Sequence, residues 1–168
     1  MSIFFTMASE YVVPQEALLQ WVPPVWTPIM AMVHTTTLAY MPMFLRIFVQ
    51  RGATSRGYDN LNPRAQIAAL LASKDPSSAF SRLHSTHINA LESLPVFFAA
   101  MGAGVFAKVE DTRLAKYGSL YFFLRLLYSF AYFFQTKSTS WIRSLLYGFS
   151  LATSINLMRE SSKKLYED

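Results

Sequence analysis

The sequence predicts an all-α integral membrane protein, a bundle of four transmembrane helices. Three observations carry this prediction. The chain holds four long apolar runs, at about 25–49, 80–107, 117–135 and 141–158. Of its 168 residues 52% are apolar and only 15% are Asp, Glu, Lys or Arg, against about 25% charged in an ordinary soluble domain. The charges that exist lie mostly between the apolar runs. A water-soluble chain this apolar would struggle to cover its surface; a lipid bilayer removes that demand.

The length fits one domain. The absence of cysteine excludes disulfides, thiolate metal sites and a cysteine nucleophile. The net charge of +5 is spread through connections rather than gathered on one soluble face, so a nucleic-acid partner is not expected and a lipid bilayer is.

Residues 1–24 read as an N-terminal interfacial segment. They carry Glu10 and Glu16 but no Lys or Arg, which fits neither a secretory signal nor an arginine-rich presequence. Trp21 and Trp26 suit the headgroup level. The first run, 25–49, is long enough to cross a hydrocarbon core of about 30 Å. Pro28 stands near its start, Pro42 is expected to kink it, and Arg46 is expected to snorkel outward from its far end. Residues 50–79 form a polar connection rich in turn formers, with a short helix predicted at 64–73. Asp75, Ser77 or Ser78 caps the second run. The segment KVEDTRLAK separates the second run from the third. Lys137 and Ser138–Ser140 separate the third from the fourth. Residues 159–168 read as a charged tail beyond the membrane domain of 25–158.

Lys and Arg placement sets the expected orientation. Arg46, Arg51, Arg56, Arg64, Lys74 and Arg82 flank or fill the first connection, with Lys137 and Arg143 on the same side. That side is expected to face the cytoplasm, or the matrix in a mitochondrion. The organelle stays open between the mitochondrial inner membrane and the endoplasmic reticulum.

Polar groups inside the runs need a reason. A charge at the centre of a span costs about 2.5–3.5 kcal/mol, whereas each Leu, Ile, Phe or Val returns about 0.3–0.6 kcal/mol. Arg82, Ser85, Asn89, Glu92 and Val96 recur at three- and four-residue steps and so share one helix face. Arg125, Tyr128 and Tyr132 share a face of the next helix. The expected arrangement packs the two faces together, with Glu92 offered to Arg125. Two readings follow: a polar network that fixes helix register, or a site for a ligand carrying both charge signs. His84 and His87 stand only loosely beside Glu92, and His34 stands alone, so no metal is expected. No phosphate loop, nucleophilic triad or zinc spacing is present.

The segment SRLHSTHINALESLPVFFAA, with His87, Asn89, Glu92 and Pro95 in the pattern H-x-N-x-x-E-x-x-P-x-F, resembles the MAPEG superfamily. These are the membrane-associated proteins of eicosanoid and glutathione metabolism. RLLYSFAY, with Arg125, Tyr128 and Tyr132 in R-x-x-Y-x-x-x-Y, is similar to a second family pattern. GYDNLNPRAQ at 57–66 looks like the corresponding loop of the bacterial-type branch. The resemblance covers about 25–158. It implies a four-helix protomer in a homotrimer, with glutathione bound between neighbouring protomers near the cytoplasmic side. It also implies glutathione contacts for Asn89 and Glu92, and site roles for His87, Arg125, Tyr128 and Tyr132.

The sequence also departs from the pattern. Active members commonly carry arginine four residues before the Asn; here that position is Ser85. Arg82, one turn away, is one candidate for the missing cation. Arg143 is the candidate for the catalytic fourth-span arginine, at a longer spacing after Tyr132. The thinned cationic clamp points to a degenerate glutathione-type site in a non-catalytic accessory subunit of a larger membrane complex, such as a respiratory complex. The alternative is a glutathione-dependent transferase or peroxidase acting on a lipophilic electrophile.

Overall fold

The computed structural model describes residues 18–53, 58–75, 77–134, 136 and 138–167. Their regular structure is helical. The helices are α1 (Pro28–Ala53), α2 (Pro63–Ser73), α3 (Ala79–Phe106), α4 (Asp111–Phe134) and α5 (Ser140–Glu167). Arg56, Lys137 and most of the expected interfacial segment lie outside the described residues.

The helix starts follow local chemistry. Pro63 opens α2, where a missing N–H costs nothing. Ser78 caps α3, accepting from the Ser81 N–H at 3.3 Å. Just before it, the Asp75 carboxylate accepts the Ser77 N–H at 2.6 Å. Hydrogen bonds from Ser77 hold the Asp75 carboxyl below the usual aspartate range. The support is therefore present at neutral pH and lost as pH falls through the lowered value. A carbon-13 NMR titration of Asp75 is expected to show a midpoint below about 3.9, the ordinary aspartate value.

α1 runs unbroken through Pro42. The hydroxyls of Thr35, Thr36 and Thr37 each return to the carbonyl four residues back, at 2.7, 2.8 and 3.0 Å. This bonding satisfies polar groups without water. α2 buries none of its residues. It is tied down by Gln66, whose Oε1 accepts from Gln50 and from the Asp59 N–H. α4 begins at Asp111, so most of the charged break before the third run is its first turns. The stretch read as a charged tail continues α5: Ser161 is buried, and Glu160 pairs with Arg113 and accepts from the Tyr117 hydroxyl at 2.9 Å.

The four long helices form a ring. α1 packs on α3, α3 on α5, α5 on α4 and α4 on α1. Phe97, Met101, Leu114, Tyr117, Tyr121 and Leu157 form the main core, where Phe97 and Tyr121 stack with centroids 4.0 Å apart. Ala39, Ala90 and Leu94 form a second cluster between α1 and α3. At one end of the ring lie the C-termini of α1 and α4 and the N-termini of α3 and α5.

Among the described residues α3 alone is both long and apolar enough to cross a membrane by length and composition. The four apolar runs of the sequence predict four such helices. The other three carry more polar side chains within their length, such as Arg46 and the threonines of α1, the tyrosines and Arg125 of α4, and the serines of α5. In α3 33% of the most apolar stretch is buried inside the chain. Large apolar side chains stand exposed around the ring, among them Ile29, Phe48, Phe134 and Trp141.

Candidate functional site

Asn89 from α3, Tyr128 and Tyr132 from α4, and Arg143, Ser144 and Tyr147 from α5 line one cleft of about 270 Å³. It lies in the half of the bundle where α5 begins. Its walls are aromatic: Tyr128 lies 5.9 Å from Tyr132 and 6.1 Å from Tyr147, centroid to centroid. The Arg143 guanidinium sits over the Tyr132 ring at 4.7 Å. Cation–π contact of this kind is worth about 0.5–2 kcal/mol, more as water is excluded.

Beside these walls lies Arg125, only 3% exposed. Its Nη2 donates to the Asn89 carbonyl at 3.1 Å, and its guanidinium lies 4.4 Å from the Tyr128 ring centre and 5.8 Å from that of Tyr147. Its Nη1 is buried without a hydrogen-bond partner among the described residues. A buried cation lacking a counter-ion favours an anion nearby. Asn89 is held in turn, since its Nδ2 donates to the Ser85 carbonyl at 2.8 Å.

The expected Glu92–Arg125 pair does not form. Glu92 is exposed and has no ion-pair partner among the described residues. Arg125 is held instead by a backbone carbonyl and two tyrosine faces. His87 is buried against α1, where its Nδ1 donates to the Ala39 carbonyl at 2.8 Å; it does not line the cleft. Arg82 is also outside the cleft lining. Its Nη1 donates to the Phe133 carbonyl at 2.6 Å and ties α3 to the last turn of α4. Arg46 does not snorkel: it is 5% exposed, and its Nη1 donates to His84 Nδ1 at 2.6 Å.

Thus the structure brings Asn89, Arg125, Tyr128, Tyr132 and Arg143 together and leaves Glu92, His87 and Arg82 apart from them. Sequence reasoning missed Ser144 and Tyr147. Tyr147 follows Arg143 by four residues and so shares its face; that spacing was the available signal. Among the described residues no three of His, Cys, Asp or Glu gather as metal ligands.

Fold and cleft define an all-helical protein with one membrane-grade helix and an arginine–tyrosine site between its helices. The model of the MAPEG family matches residues 29–160, and the chain belongs to that family. No curated protein and no solved structure matches it.

Proposed function

We propose that this chain is a four-span integral membrane protein that binds glutathione in the cleft and uses it against lipophilic electrophiles. The observation that carries this reading is the convergence of Asn89, Tyr128, Tyr132 and Arg143 on one cleft beside the buried cation of Arg125. The donor set fits glutathione, an anionic tripeptide: Arg125 and Arg143 supply positive charge, Asn89 and the tyrosines supply directional hydrogen bonds.

Glutathione supplies a nucleophilic sulfur, which displaces a leaving group from an electrophilic carbon: a C–S bond forms, the bond to the leaving group breaks, and the thiol proton passes to water. Arg143 stabilises the sulfur as thiolate, since a free thiol is mostly protonated at neutral pH. Tyr132 fixes the guanidinium of Arg143, and the buried Arg125 beside the cleft neutralises negative charge. Glu92, exposed on α3 and without an ion-pair partner among the described residues, meets a neighbouring protomer in a homotrimer and completes the site there. The end of the ring rich in arginine faces the cytoplasm or matrix, so the tripeptide enters from water and the electrophile from lipid.

A second reading is favoured by Ser85 and Arg82. No cation stands at residue 85, and Arg82 is engaged with the Phe133 carbonyl. The chain would then keep the cleft without turnover, as an accessory subunit of a larger membrane complex. A conjugation assay separates the two. Purified protein in detergent, given glutathione and a lipophilic aryl halide, is expected to show turnover that saturates in glutathione. Binding without turnover would favour the accessory reading, and absence of both would refute the glutathione reading.

A further inference from the structure

A second concavity lies away from the arginine–tyrosine cleft, between α1, α3 and α4. It holds about 240 Å³ and is lined by Met41, Leu45, Leu83, Leu126, Phe130 and Phe134, with Thr86 and Ser129 among its few polar groups. Both hydroxyls are already used. Thr86 Oγ1 donates to the Arg82 carbonyl at 2.8 Å, and Ser129 Oγ donates to the Arg125 carbonyl at 2.9 Å. These two side chains thus keep their donor hydrogens inside the bundle, and the lining suits hydrocarbon. From Leu126 to Phe134 the groove runs about 12 Å along α4 at 1.5 Å per residue. That length suits an extended stretch of hydrocarbon chain.

The chemistry at one end of the groove is different. Arg82 reaches the carbonyl of Phe133, which itself lines the groove. Arg46 follows the lining residue Leu45. Arg51, Arg64, Lys74 and Arg143 belong to the same end of the bundle, opposed among the described residues by Asp59 and Asp75. A hydrocarbon slot that ends in net positive charge is complementary to one kind of membrane molecule.

We propose that this groove seats one acyl chain of an anionic glycerophospholipid, with its phosphate at the Arg82 end. The proposal rests on the membrane reading above, not on thiol chemistry. The lipid wedges α1 against α4 where Pro42 removes a backbone donor from the wall, and it lies behind the cleft rather than in it.

The test is native mass spectrometry of the purified full chain, released from detergent after exposure to equal amounts of phosphatidylglycerol and phosphatidylcholine, without glutathione. The wild type is expected to retain phosphatidylglycerol preferentially. Arg82→Gln is expected to lower that preference about fivefold, the worth of one basic side chain beside an anionic lipid. Ser129→Phe fills the groove and is expected to lose lipid of both kinds. Met41→Trp, at an exposed position, narrows it with less risk to folding and is expected to lose lipid likewise. Equal retention of the two lipids by the wild type would overturn the proposal, as would undiminished retention by a folded Met41→Trp. Loss of an oligomer instead of lipid in these variants would overturn it in favour of a protein partner. Glutathione binding is measured separately, so its failure leaves this outcome readable.

Discussion

Arg143→Ala is expected to lower conjugation turnover by about 10²–10³-fold, the usual cost of removing a charge-stabilising donor from a reacting centre. The side chain is the half-exposed cation of the cleft, and its position over Tyr132 sets where its charge is delivered. Arg143→Lys is expected to restore only part of the activity. It keeps the charge but loses the planar stacking on the tyrosine. Tyr147→Phe tests the same geometry more gently: it keeps the ring beside Arg125 and removes one hydroxyl from the lining. Steady-state rates in detergent at fixed pH measure all three. A rate for Arg143→Ala equal to the wild type would place the chemistry elsewhere.

Gly118→Val is expected to destabilise the bundle by about 1–3 kcal/mol or more, the cost of overpacking a filled interface. A Cβ built at Gly118 would lie 2.6 Å from the Cβ of Ala31, an atom fixed to the α1 backbone, so α1 and α4 would have to separate. Two other glycines provide controls. A Cβ at Gly104 would meet the Leu114 Cδ2 at 2.5 Å, but that atom ends a flexible side chain, so Gly104→Ala is expected to cost less. At Gly102 nothing lies within 4 Å, and Gly102→Ala is expected to stabilise α3 by roughly 0.5–1 kcal/mol through helix propensity. Unfolding midpoints in one detergent give the order: Gly102→Ala highest, then wild type, Gly104→Ala and Gly118→Val.

The helices were legible because local signals agree. Pro63 and Ser78 mark starts, turn formers mark the first connection, and the apolar runs mark the four long elements. The motif spacing also put Asn89, Arg125, Tyr128 and Tyr132 on the faces that the cleft uses. Other features depend on contacts between distant residues. Glu92 and Arg125 have opposite charges on facing helices, yet rotation about the helix axis leaves Glu92 outside while a carbonyl and two rings take the cation. Arg46 lies near a helix end and looks free to reach water, but His84, 38 residues later, draws it inward. The last turns of α5 look like a solvated tail until Arg113 reaches Glu160. Tyr147 joins the cleft only because α5 presents its Arg143 face to α4, a phase that one helix's sequence does not contain.

Calorimetric titration of glutathione into the purified protein tests the central claim most directly, with Arg143→Ala run beside the wild type. Saturable heat in the wild type, strongly weakened in Arg143→Ala, is the expected result. Absence of saturable heat in the wild type, or equal affinity in the two proteins, would contradict the assignment of the Asn89–Tyr128–Tyr132–Arg143 cleft as a glutathione site.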